Sequence, residues 1–573
     1  MGRSLSFRQW IANGAAPVIL AACITLPAED QSRAWFEDVT QTAGLGDFRH
    51  ENGAFGSAWE PEIIGAGAAF IDYDGDDWQD LLLVGGGGFL EGEPRDVPAL
   101  WLYRNDGDGT FRLVNEEVGL ADVRAYGIGL AVGDYDNDGD DDFLLTTLYE
   151  NLVFRNDLAP DGRGRRFTEV GKATGLAGPR DWSSSAIFFD ADRDGWLDVY
   201  VGNYLEWSPE IDRDCVRNGK LGYCTPEESK GKGSRFYRNN GDGTFTDRTV
   251  ESGIAAGIEP GRNKVLGVTE HDFNDDGWPD LFVGVDTERD LLYVNRGDGT
   301  FDERGISLAV AYSPEGKARA GMGVDAGVVD ETGKTTLFVG NFSRESVGVY
   351  RLTDLGYFET RDVASRLARA SNATLTFGLF LFDVDLDGDL DLFLANGHVQ
   401  IYIEESVPGT FFRQPPQLFL NDGHGVFSPA GEGEPPFTDR LVGRGAAYAD
   451  YDRDGDLDVI ICENGGPVRL WRNLSQNASW VRLRFHGTPP DNRNAYGSVV
   501  RGYVNGREMT RRVHDGSSFA SHSETVVTFG LGDAEALDSV VIRWPSGALQ
   551  RLGRIARGQE VDVYRSGAQV AAR

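Results

Sequence analysis

Nine residues of the form Asp-x-Asp-x-Asp-Gly-x-x-Asp, or a close variant, recur along this chain, and an internal repeat constrains a fold more tightly than any local propensity. Six copies keep their acids. They are Asp72, Asp74, Asp76 and Asp80; Asp134, Asp136, Asp138 and Asp142; Asp190, Asp192, Asp194 and Asp198; Asp272, Asn274, Asp276 and Asp280; Asp383, Asp385, Asp387 and Asp391; and Asp450, Asp452, Asp454 and Asp458. A seventh has decayed: around Asp330 one acid position survives and the closing position is Thr336. One Asp/Gly cluster is as readily a solvated hairpin turn as a site, but six at matching spacing argue for a shared chemistry.

That chemistry is oxygen coordination of a hard cation. Calcium takes about six to eight oxygens, and carboxylates at positions 1, 3 and 5 of a tightly curled loop converge on one point, with glycine at position 6 allowing the turn. A carbonyl at position 7 and the acid at position 9 complete the shell. EF-hands close with a glutamate at position 12 between helices, whereas here the acid at 9 runs straight into Leu-Leu-Leu-Val or Val-Tyr-Val, so these are loops between strands. About six calcium ions are expected, with the Asp330 site empty. Their charge offsets part of a formal −36, so stability should be calcium-linked.

Each loop sits in the same setting: an apolar strand before it, a strand after it, then Leu-Tyr-Arg-Asn, a Gly-Asp-Gly-Thr-Phe turn and a last strand, as at 101–111, 236–245, 292–301 and 418–427. Four strands per unit and seven units predict an all-β, seven-bladed propeller over residues 35–475. At 573 residues the chain exceeds the roughly 250–300 that one core organises, so either several domains or a repeat architecture is required. The 75 glycines fit many short strands joined by tight bends. Phe36–Thr40 reads as a fourth strand lacking its first three, and the last unit stops at Leu470–Asn473 without one. The two ends are therefore expected to complete one blade and remove the open edges. Residues 480–566 hold six alternating runs, predicting a small antiparallel β-sandwich, with 567–573 as a tail. From Trp480 onward there are 13 arginines and 9 acids, a net +4 against −40 for the rest; a basic module beside an acidic ring can dock on it.

Residues 1–23 carry Arg3, Arg8 and a short apolar run ending in Leu20-Ala21-Ala22-Cys23, the pattern of an export signal and similar to a bacterial lipobox. Cys23 is the expected lipidation site, 24–34 a linker, and the cell envelope or the extracellular space the expected location. Lipid at Cys23 would be the one route to a membrane, because no later stretch is apolar enough to span. Cys215 and Cys224, nine apart in one loop, pair as a disulfide in an oxidising compartment; Cys462, in an apolar run, reads as a buried residue.

The repeats resemble the FG-GAP/VCBS repeats of integrin-α-like propellers. The tail, with Trp480-Val-Arg-Leu-Arg484, Gly497, Phe529-Gly-Leu-Gly532 and Ile542-Arg-Trp-Pro-Ser-Gly547, resembles an ASPIC/UnbV domain. The combination is similar to the cartilage-acidic-protein-like (CRTAC) family over about residues 35–566. It departs at Gly516–Ser523, where that family commonly has a Gly-Gly-Tyr-like segment. The resemblance implies extracellular calcium binding and a non-enzymatic interaction or adhesion role, and names no ligand.

Strand directions place the acidic loops on one face and the long insertions, 203–234 and 396–416 with Phe411, Phe412 and Arg413, on the other. A protein or glycan partner is expected on that second face. Arg124, Arg180, Arg262, Lys264, Arg319 and Arg444 precede inner strands there, and are expected to ring the channel mouth and attract an anionic ligand. The acidic balance argues against nucleic acid. No catalytic constellation stands out: there is no His-Glu-x-x-His and no Gly-x-Ser-x-Gly. The alternative, an enzyme or accessory protein of secondary metabolism suggested by the UnbV resemblance, would need pKa-shifted acids in a pocket at the channel mouth.

Overall fold

Seven four-stranded antiparallel sheets follow one another along the chain in a computed structural model that describes residues 34–572 apart from 54–55, 88–96, 161, 163, 218, 476–478 and 566–570. The export signal, Cys23 and all but the last residue of the 24–34 linker lie outside the described residues. Blades 1 to 6 span 68–113, 127–169, 183–247, 265–303, 324–360 and 376–430, and blade 7 spans 443–473. The first strand of each blade packs against the first strands of both neighbours, from blade 1 round to blade 7 and back, so the ring is closed. Blade 7 takes its outer strand from the start of the chain: Phe36 pairs with Asn473, Glu37 with Arg472 and Asp38 with Trp471. The expected all-β, seven-bladed architecture is the one present.

The glycines of the inner strands have a packing reason. A Cβ on Gly323 would stand 1.8 Å from the Phe377 carbonyl oxygen, and one on Gly267 1.9 Å from that of Met322, so neighbouring blades meet backbone to backbone at the axis. Farther out, aromatic rings join the blades. Phe111, Phe245 and Phe301, each ending a Gly-Asp-Gly-Thr-Phe turn, lie 5.6, 5.7 and 6.3 Å from the rings of Tyr451, Tyr135 and Phe189 in the preceding blade. This burial between sheets is the main apolar driving force of the ring.

The tail is two four-stranded sheets packed over Val481, Leu483, Phe529, Ile542 and Trp544. It is a sandwich, with one departure from the all-antiparallel expectation: Trp480–His486 runs parallel to Gln559–Tyr564, with Val481 opposite Gln559. The long excursion between these strands carries the second sheet and returns in the original direction, which a parallel pair requires.

The tail also covers the acidic-loop face and sends residues 515–524 into the central channel. Backbone N–H groups of the inner strands donate to it: Phe70 to the His522 carbonyl (3.1 Å), Leu130 to Ala520 (3.1 Å), Val324 to Ser518 (3.1 Å), Phe188 to the Asp515 carboxylate (2.8 Å), Leu379 to the Ser518 hydroxyl (3.3 Å) and Tyr448 to that of Ser523 (3.1 Å). Six of the seven blades thus satisfy a channel-facing donor on this segment. At its tip Phe519 is fully buried, its ring 5.0 Å from that of Phe377.

Candidate metal centres

Each acidic nonapeptide joins the first and second strands of its blade and is curled by two left-handed residues. Position 6 has a positive φ throughout, at Gly139, Gly195, Gly277, Gly388 and Gly455, and in blade 1 at Asp77 (71°). Position 4 is left-handed as well, and there only Gly75 is glycine; Asn137, Arg193, Asp275, Leu386 and Arg453 adopt it. Non-glycine residues in this region are uncommon, so the loop geometry is imposed by its hydrogen bonds rather than by residue preference.

Those bonds come from the acids. The position-1 carboxylate accepts the N–H of position 6: Gly139 to Asp134 at 2.8 Å, Gly277 to Asp272 at 2.8 Å, Gly455 to Asp450 at 3.1 Å. Position 5 accepts the N–H two residues on, as Trp196 to Asp194 at 3.0 Å. Position 9 holds both ends of the site. Asp142 takes the Tyr135 N–H (3.3 Å) on one oxygen and that of Asn156, from the third strand, on the other (2.8 Å). Asp80, Asp198, Asp280, Asp391 and Asp458 do the same with Asn105, Asn239, Asn295, Asn421 and Asn473.

What these bonds leave over is an inward-facing set of oxygens. In blades 1, 2 and 6 one carboxylate oxygen from each of positions 1, 3 and 9 lies within 4.8 Å of the others, and in blade 3 from Asp190, Asp192 and Asp194. The Oδ1 atoms of Asp74, Asp136, Asp192 and Asp452 at position 3, and of Asp383 and Asp450 at position 1, are buried without a hydrogen-bond partner. A buried carboxylate oxygen without a donor is costly and is what a coordinated hard cation would relieve, so the residues fit calcium. Burial, with help from neighbouring carboxylates, pushes Asp72, Asp190, Asp383 and Asp450 up to about 7 and Asp134 to about 8. In the metal-free state these clusters hold protons where ordinary aspartates would not.

Blade 5 is built differently. The Arg351 guanidinium bonds Asp330 at 2.7 Å, and Leu352 stands where other blades place the third-strand asparagine. Blade 5 thus lacks both the closing acid and that asparagine.

The asparagine was present in the recurring Arg-Asn of the sequence, but its role is visible only in three dimensions. Its amide nitrogen reaches the position-2 carbonyl of the preceding blade: Asn156 to Tyr73, Asn239 to Tyr135, Asn295 to Ala191, Asn421 to Val329, Asn473 to Val384 and Asn105 to Tyr451, all at 2.7–2.9 Å. The loops of blades 1, 2, 3, 6 and 7 are thereby held by their own blade and the next, whereas blade 5, with Leu352 at that position, offers no such amide to the loop of blade 4. Replacing Asn239 by Ala orphans the buried Tyr135 and Leu197 carbonyls and is expected to cost about 2 kcal/mol, measured by urea unfolding at saturating calcium.

The six basic residues expected to ring the opposite mouth are each engaged by neighbouring groups of the chain. Arg444 is fully buried, donating to the Ile63, Gly397 and Gly443 carbonyls (2.7, 3.0 and 2.7 Å). Arg319 is buried on Asp362 (2.7 Å) and Lys264 on Glu288. Arg180 lies by Glu150 (3.6 Å), Arg262 by Glu259 (3.6 Å), and Arg124 donates to the Ala121 carbonyl (2.7 Å). Arg319 thus neutralises the buried Asp362 and Lys264 the half-buried Glu288, while Arg444 ties together main-chain carbonyls.

The opposite mouth has another feature that spacing did not announce. A cavity of about 300 Å³ lies beneath the loop stapled by the Cys215–Cys224 disulfide, lined by Glu60, Trp207, Asp212, Ser229 and Lys230 among others. Glu60 is buried and bonded to the Ser229 hydroxyl at 3.1 Å; burial first, then Asp212, Asp286 and Glu228, pushes it to about 7. Asp286, bonded by the Tyr204 hydroxyl at 2.7 Å, is raised to about 7 by burial.

Comparison with known proteins agrees with this architecture. Residues 72–145, 272–327 and 383–461 match the FG-GAP-like repeat, and 487–570 match the ASPIC and UnbV domain. Human cartilage acidic protein 1 is 26% identical over 455 residues, which covers 75% of this chain and 61% of the human protein. The Xenopus tropicalis protein of that name is 25% identical, covering 75% and 63%, and that of Mus musculus 25%, covering 85% and 72%. The chain therefore spans about three fifths of the human and Xenopus relatives. Among solved structures, an Agrocybe aegerita lectin that recognises non-reducing terminal N-acetylglucosamine superposes with a TM-score of 0.39 at 14% identity, over 81% of this chain and 98% of the lectin. AofleA from Arthrobotrys oligospora does so at 0.33 and 12%, over 65% and 88%; at these scores neither bears on this chain. The chain is an FG-GAP-repeat propeller with a C-terminal ASPIC/UnbV domain, similar over three quarters of its length to cartilage acidic protein 1.

Proposed function

We propose that this protein is an extracellular, calcium-stabilised, non-enzymatic interaction module, with its partner, a protein or glycan, on the face opposite the acidic loops. The observation that carries the calcium reading is the set of buried, partnerless carboxylate oxygens converging in the loops. The disulfide supports an oxidising, extracellular setting, as do relatives named for cartilage. Among the described residues no helix is long and apolar enough to cross a membrane. The position of the tail supports this choice of face: it occupies the loop face and the channel, while the opposite mouth carries the disulfide loop and the exposed Phe411. Calcium titration of the purified protein tests this. About six equivalents are expected in wild type, and about five after Asp385→Asn with Asp391→Asn; a chain that takes up no calcium at millimolar concentration sinks the reading.

A second reading, an enzyme or accessory protein of secondary metabolism, is favoured by one observation: Glu60, raised to about 7 at the cavity under the disulfide loop, where a general acid or base would operate near neutral pH. On that reading Glu60→Gln abolishes turnover while the calcium stoichiometry stays unchanged.

A further inference from the structure

The arginines of the tail are distributed loop by loop. Arg482 lies 3.3 Å from Oδ2 of Asp450 in blade 7, Arg511 3.6 Å from Oδ2 of Asp383 in blade 6, and Arg543 3.5 Å from Oδ2 of Asp272 in blade 4. All three acids stand at position 1 of their loops. Arg511 and Arg543 also bond the position-6 carbonyls, Gly388 at 3.1 Å and Gly277 at 2.9 Å. In blades 4 and 6 the third strand carries Val294 and Leu420 where others have arginine, and Arg472 of blade 7 pairs with Glu37 at 2.6 Å, as Arg155 of blade 2 does with Asp157 at 2.9 Å. Blades 1 and 3 supply their own, Arg104 at 2.9 Å from Asp74 and 3.0 Å from Asp76, and Arg238 on Asp192 and Asp194. In blades 6 and 7 the tail guanidinium takes the outer oxygen, Oδ2, while Oδ1 of the same carboxylate is buried and without a partner. The two oxygens of one carboxylate are thus divided between a tail cation and the inward-facing side of the loop.

We propose that the tail domain regulates the cation sites of blades 4, 6 and 7: its docking weakens calcium binding there, and calcium binding there loosens the tail. The inference rests on the calcium reading above. A guanidinium and a divalent ion sharing one carboxylate repel each other at close range, in a partly buried setting where the solvent screens little. A calcium-filled loop presents the tail guanidinium with less negative charge than the same loop without the ion. Such coupling is reciprocal: whatever factor docking removes from calcium affinity, calcium removes from docking. The looser state has its own marker, because the amides of Phe70, Leu130 and Val324 donate to carbonyls of the tail segment inside the channel.

The test uses the full chain. Wild-type protein is titrated with calcium by calorimetry, beside Arg511→Gln with Arg543→Gln, and beside Arg511→Lys with Arg543→Lys, which keeps the charge. Arg482 is left intact because it also holds Glu524 and Glu560. A tighter and a weaker class of sites are expected in wild type. Two weaker sites should tighten about tenfold in the Gln variant, within the 5- to 150-fold range of such couplings, and remain close to wild type in the Lys variant. Amide exchange of peptides holding Phe70, Leu130 and Val324 should quicken between three and six equivalents of calcium. Six equal sites, an unchanged isotherm in a folded Gln variant, or slower exchange over that interval overturns the regulation and leaves the calcium reading standing; no calcium uptake in any variant overturns both.

Discussion

Chelation lowers the melting temperature of this protein by roughly 10–15 °C relative to saturating calcium. Each site held at a hundredfold excess over its Kd adds about 2.7 kcal/mol, so six put the gap on the order of 16 kcal/mol. At about 2.1 cal/mol/K of unfolding entropy per residue, a chain of this length answers with a shift of that size. The pH dependence reverses between the two states. In the metal-free protein Asp72, Asp134, Asp190, Asp383 and Asp450 sit at about 7 to 8, well above the roughly 3.9 of an unfolded chain. A raised carboxylate contributes stability that is fully present below the unfolded value and lost as pH rises through the folded one. Chelated protein should therefore melt higher at pH 5 than at pH 8, whereas calcium-loaded protein should melt lower at pH 5, because protons displace the ion. Calorimetric scans at both pH values, with EDTA or with calcium, check both signs. Superimposable scans with and without EDTA would falsify the role given to the loops.

The parts of this architecture that were legible in sequence are those whose cause is local. Four acids at positions 1, 3, 5 and 9 must curl to bring their oxygens together, and the run that follows Asp80 or Asp458 can only be a strand, so blade count and ring closure followed from counting. The left-handed turn at position 4 was not legible: Leu386 and Arg453 have no preference for it, and the hydrogen bonds of Asp383 and Asp450 impose it. Nor was the channel segment, since Gly516–Ser523 has neither periodicity nor a formal charge, and its role lies in donors contributed by five separate blades, with Asp515 beside it serving a sixth. The basic residues failed for a related reason. An arginine announces charge but not partner, and Arg444 found carbonyls from residue 63 and residue 397 that no spacing rule connects to it. Conversely, the +4 of the tail was a correct pointer to docking, because net charge acts over a whole face.

The largest effect of a single substitution is expected at Arg482, where ring and tail meet. Its guanidinium is 2% exposed and engages Glu524 twice (2.8 and 2.9 Å), Glu560 at 3.2 Å and Asp450 at 3.3 Å. Glu524 itself is fully buried, and its N–H donates to the Tyr448 carbonyl of blade 7 at 3.0 Å. Arg482→Met keeps much of the side-chain volume but leaves three carboxylates without their shared cation. Removing one member of a buried charge cluster typically costs about 3–5 kcal/mol, because the remaining charges cannot be resolvated. An exposed pair provides the contrast: Arg296 and Asp302 lie about half exposed, and Arg296→Ala should leave the unfolding midpoint close to that of wild type. Urea unfolding at saturating calcium separates the two cases. If Arg482→Met proved as mild as Arg296→Ala, the tail would be resting on the ring through its channel segment alone, and the charge complementarity between tail and loops would contribute little to holding it there.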